Sequence, residues 1–106
     1  MGFIMVYITC GNEESAQNLS EALLQEKRIA CANLFPIKSG YWWQGDITSE
    51  NEWVSIAKTV PENWETLQKR IIELHPYENP AVIRIDVNST EAYEEWIRSE
   101  VLTSHT

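Results

Sequence analysis

The chain alternates between short apolar runs and amphipathic stretches, and the two kinds of pattern divide it into elements. "FIMVYITC" (Phe3 to Cys10) is a continuous apolar run rich in β-formers, which predicts a buried central strand. In "GNEESAQNLSEALLQEKRIA", Asn12 is the N-cap, Glu13 and Glu14 suit a first helical turn, and Ala16, Leu19, Leu23 and Ala30 keep one helical face apolar. "CANLFPIKSGYWW" predicts a second strand, in which Pro36 demands a bulge, an edge or a bend. Gln44-Gly45-Asp46 is a turn, with Gly45 supplying a positive φ, and the chain returns through "EWVSIAKT". Leu34 to Thr59 therefore predicts a long hairpin that overhangs a small domain.

Pro61 suits a helix start, and Trp64, Leu67, Ile71 and Leu74 form that helix's buried stripe. "HPYENP" stops it, because each proline lacks an N–H and restricts the residue before it. "AVIRIDV" alternates, with Ile83, Ile85 and Val87 opposite Val82, Arg84 and Asp86. Asn88 or Ser89 caps a last helix bearing Tyr93, Trp96, Ile97 and Val101 on one side.

The order β-α-β-β-α-β-α predicts an α+β fold, the ferredoxin-like split βαβ arrangement (βαββαβ plus a C-terminal helix), with an antiparallel sheet in the order 4-1-3-2. That order gathers Cys10, the start of the first helix, the tryptophan-bearing turn and His75 at one end. Cys31 falls at the other end, which argues against a Cys10–Cys31 disulfide within one chain.

Composition narrows the function. At 106 residues the chain predicts one domain, residues 1–106, and a hydrophobic fraction of 43% argues against disorder. A net charge of -8 makes a poor phosphate-backbone binder, which excludes nucleic acid as the expected partner. The opening "MGFIMVYITC" has no basic n-region and is too short to span a membrane, so a cytoplasmic location with reduced thiols is expected and a membrane partner is not. His105 stands in a polar C-terminal end and carries no expected role.

Four segments, "TCGNEESAQNLSEALL", "RIACANLFPI", "SGYWWQGDI" and "ELHPYENP", stand in an order that resembles the CutA divalent-cation-tolerance family, and the likeness runs from Phe3 to about Leu102. The resemblance implies a ferredoxin-like homotrimer with long strands paired between protomers, similar in architecture to the P-II nitrogen-signalling proteins. It implies a part in tolerance of copper or another divalent cation, and no catalytic activity. Carried over by position, the metal-linked residues are Cys10, Cys31 and His75, with Glu78 beside them. The family often has Glu-Gly-Lys at the hairpin turn, where this chain has Gln44-Gly45-Asp46.

Each candidate has a second reading. His75 and Cys10 suit copper or zinc, but one chain offers too few donors for a closed site, so a trimer would have to pool them. Alternatively His75 bonds a backbone group and stiffens the corner, and Cys10 and Cys31 are small core hydrophobes. Tyr41, Trp42, Trp43, Trp53 and Tyr77 line either a ligand cleft or an oligomer interface, where aromatics are enriched. The expected function is a trimeric metal-responsive binding protein. The alternative is a P-II-like module taking a small ligand between protomers and signalling to a partner. Against a nucleotide, "CGNEE" offers one glycine and two acids at the helix start. An enzyme using Cys10 and His75 ranks last, for lack of an orienting third group and an oxyanion hole.

Overall fold

The computed structural model describes residues 2–103, so His105 lies outside the described residues. The elements run β1 (Phe3–Cys10), α1 (Glu13–Gln25), β2 (Cys31–Trp43), β3 (Asp46–Thr59), a 3-10 turn (Pro61–Asn63), α2 (Trp64–Leu74), β4 (Val82–Val87) and α3 (Glu91–Glu100). The strands form one antiparallel sheet in the order β2-β3-β1-β4, the expected topology.

Local chemistry sets the ends of α1. The Asn12 side chain accepts the Ser15 backbone N–H at 2.8 Å, satisfying one of the helix's orphan donors. At the other end Lys27 takes a φ of 56°, with the Lys27 N–H donating to Leu24 O and the Arg28 N–H to Leu23 O. That is a Schellman closure carried by a residue other than glycine. It ends the helix at Gln25, so Ala30 lies beyond the helix and packs instead near α3. The last helix also differs from expectation: its N-cap is Thr90, whose φ of -63° and ψ of 148° make it the last extended residue, rather than Asn88 or Ser89.

Side chains alternate across the sheet, and the two faces have different covers. Ile4, Val6, Ile8 and Cys10 of β1 point beneath α1 and α2, where they form the main core with Ala16, Leu19, Leu23, Leu67 and Ile71. On the opposite face α3 covers only the lower end, through Phe3, Val60, Ile97 and Val101. Further up that face, Met5 pairs with Ile85 and Tyr7 with Ile83, and Ile83 is 50% exposed.

The hairpin holds one register from Cys31↔Lys58 to Trp43↔Asp46 without a bulge. Pro36 is tolerated because β2 is an edge strand, the second of the three expected solutions. The two-residue turn has positive φ at both centres, Gln44 at 50° and Gly45 at 85°, the primed geometry that matches strand twist. Pairing to β1 stops at Cys10↔Trp53, so beyond that rung β2 and β3 continue as a two-stranded arm. The arm makes the molecule long, 45 × 28 × 22 Å, and carries Trp42 and Ile47 each 72% exposed.

Candidate functional site

The site lies at the upper rim of the sheet, where the corner after α2 crosses the end of β1. Pro76 disfavours a helical conformation for the residue before it, and His75 leaves the helix with φ -80° and ψ 133°. That backbone turn aims the imidazole at β1. Its Nδ1 accepts the Tyr77 backbone N–H at 3.1 Å, so the ring proton sits on Nε2, which donates to Thr9 O at 2.7 Å. Both ring nitrogens are thus occupied with main chain, and the corner is fastened to β1.

Tyr77 continues the crossing. Its ring lies 4.7 Å from that of His75, and it passes over Gly11, where a Cβ would stand 3.2 Å from the phenol oxygen. The hydroxyl donates to Glu52 Oε2 at 2.8 Å, on the face of β3 away from α1 and α2. Burial, then the Glu52 hydrogen bond, pushes the phenol's pKa up. Further out on the arm, Tyr41 is hydrogen-bonded to Glu50, which raises its phenol pKa as well.

Cys10 stands beneath the corner on the helix-covered face, 1% exposed. Burial, and secondarily the Glu52 charge, raises its thiol to about 11. Cys10, Ser15, Asn18, His75 and Pro76 wall a cleft of about 310 Å³ between α1 and the corner. A thiol kept protonated and an imidazole with no free lone pair do not make a nucleophile and base.

The structure brings together Cys10, His75 and Tyr77, with Trp53 opposite Cys10 on β3, and separates Cys31, Trp42 and Trp43 from them. Cys31 starts β2 opposite Lys58, while Cys10 lies opposite Trp53. The span from Trp53 to Lys58 is about 17 Å at strand rise, and the two thiols point to opposite faces. Both cysteines are free. Glu78 is exposed on the corner. Among the described residues no three or more His, Cys, Asp or Glu side chains gather to hold a metal ion. The tryptophans part as well: Trp53 packs against the main core, whereas Trp42 and Trp43 stand exposed at the arm's tip.

Glu52 is the residue that sequence reasoning passed over. The signal was present: in "EWVSIAK" it shares a face with Val54 and Ile56, a carboxylate where the alternation calls for an apolar side chain.

Residues 4–100 match the family model described as CutA1 divalent ion tolerance protein. The chain belongs to that family. The CutA of Thermotoga maritima, named a divalent-cation tolerance protein, is 44% identical over 100 residues, covering 93% of this chain and 99% of that one. The crystal structure of CutA1 from Pyrococcus horikoshii superposes with a TM-score of 0.91 at 46% identity, covering 93% of this chain and 98% of that one. CutA1 from Oryza sativa gives 0.93 at 31% identity, covering 98% and 97%. A CutA from Archaeoglobus fulgidus, 33% identical with a TM-score of 0.87 and covering 92% and 95%, is described as periplasmic. The CutA fold expected from the four segments is therefore the fold observed.

Proposed function

We propose that the protein is a homotrimeric, non-enzymatic cation-tolerance protein that takes a divalent metal ion, copper foremost, in clefts between protomers. One observation carries the reading: above Met5, which packs against the α3 cluster, the upper part of one sheet face, with Tyr7, Ile83 and Ile85, has no helix over it. A strand face this apolar is covered by another chain or is an aggregation hazard. Assembly as a trimer follows the architecture that the family resemblance implies, and it supplies what one protomer lacks, a pooled donor set. Cys10 and His75 share the cleft beneath the corner, and Glu78 is exposed three residues beyond His75. His75 becomes a donor only by giving up its bond from the Tyr77 N–H. The two free thiols favour a reducing compartment, and we place the protein in the cytoplasm.

Light scattering at micromolar concentration tests the assembly, and a monomer there overturns it. Calorimetric titration of the untagged, metal-free protein with Cu(I), Cu(II) and Zn(II) tests the metal role. Stoichiometric binding that weakens in Cys10→Ser, Cys31→Ser or Glu78→Gln is expected. Cys10→Ser should weaken Cu(I) more than Zn(II), because thiolate is the softer ligand. An absence of binding in the wild type sinks the metal reading and leaves the assembly standing.

A further inference from the structure

We infer that Glu52 is an assembly contact, its carboxylate pairing with a lysine ammonium of a second copy of this chain. The inference rests on the trimer reading and deepens it, by naming a charged contact within the interface. Glu52 is 7% exposed, yet its hydrogen-bond partner is a neutral phenol, Tyr77, and it stands in no ion pair among the described residues. A buried carboxylate without a cation is costly, and proteins ordinarily pair it.

The chain's own cations divide cleanly. Arg28, Arg70, Arg84 and Arg98 each bind a carboxylate within the protomer. Lys27, Lys38, Lys58 and Lys69 stand in no ion pair among the described residues. Two of them are on the sheet itself: Lys38, where β2 enters the arm and on the face opposite Glu52, and Lys58, on the same face as Glu52, where its ammonium donates to the Tyr93 hydroxyl at 3.2 Å but has no carboxylate partner. That face is also the one whose apolar residues lack a cover, so one docking event would bury the isoleucines and bring a cation to Glu52. Charge complementarity thus selects a second copy as the occupant. The pairing also fixes register, since an apolar face alone permits sliding whereas a buried charge accepts one position.

The test mixes nitrogen-15-labelled and unlabelled protein, couples carboxylates to amines with a carbodiimide, and maps the linked peptides by mass spectrometry. The expected product joins Glu52 of one isotope to Lys38 or Lys58 of the other. Glu52→Gln keeps an oxygen for the Tyr77 hydroxyl but removes the charge. It should raise the concentration at which trimers dissociate by about tenfold or more. A trimer with neither the mixed-isotope link nor a shifted dissociation overturns the inference and spares the assembly reading. A wild-type monomer at micromolar concentration overturns both.

Discussion

The two faces of the sheet solve the same problem with different resources. Beneath α1 and α2, Ile4, Val6 and Ile8 are fully buried by partners from the same chain. Across the sheet, one residue along the same strands, Tyr7 and Ile83 share a rung that no helix of the protomer covers. Composition hardly distinguishes the faces; cover does. The helix-side face is closed by the chain's own helices, whereas the upper part of the other face leaves Ile83 and Ile85 exposed, the kind of surface on which proteins associate.

The largest expected effect compares Ile8 with Ile83. Ile8→Ala should cost about 2–5 kcal/mol in urea denaturation at any protein concentration, because it leaves a cavity in a core that the chain closes itself. Ile83→Ala should cost a loss that depends on protein concentration, since it acts on association. Equal, concentration-independent losses would mean that the uncovered face is an ordinary solvated surface. Next comes His75→Ala, which strands Thr9 O and the Tyr77 N–H and should cost about 1–3 kcal/mol in thermal or chemical melts. Copper affinity measured on the same variant sharpens the point: a drop in affinity with an unchanged melt would make the corner a metal site rather than a fastening.

A smaller effect lies at the junction of the two helices on the covered side. Arg70, then Arg28, hydrogen-bond Glu26 and hold its carboxyl at about 2, below the ordinary 4.5. A lowered carboxylate value adds stability that is present above 4.5 and is lost as pH falls through about 2. Solvent screens the cluster, so Glu26→Gln should cost about 1 kcal/mol at pH 7. Melting curves of wild type and variant should converge towards pH 2, and parallel curves would deny the pair any role. The smallest effect changes no stability. At pH 8, iodoacetamide should modify Cys31 well before Cys10, whose thiol is buried and held near 11, as peptide mapping would show. Equal rates would mean that the covered face opens freely.

Much of this was legible in the residue order. Hydrophobic period separated strands from helices, and the topology then put Cys10 and His75 at one end and Cys31 at the other. Where the reading failed, the cause was local geometry that a pattern does not carry. Nothing in "QEKRIA" announces that Lys27 will take a left-handed conformation, so Ala30 read as helical. The alternation of β4 placed Ile83 and Ile85 on one face but said nothing of which face the helices would choose. The site was less legible than the fold, because its bonds join distant segments: His75 to Thr9, and Tyr77 to Glu52 across Gly11. Two prolines marked the corner as rigid without saying what it would hold.

The placement of β1 bears on how the chain reaches this state. It is synthesised first and sits in the middle of the sheet, yet Cys10 waits for Trp53 and Phe3 for Val87. The β2–β3 hairpin, by contrast, closes on a two-residue turn and can zip as soon as it leaves the ribosome. Until β3 is made, then, the most apolar strand has no partner, and the finished hairpin offers it the bare edge of β3. Pairing of β1 with β3, with α1 folded back over it, removes the apolar strand and the bare edge from water in one event.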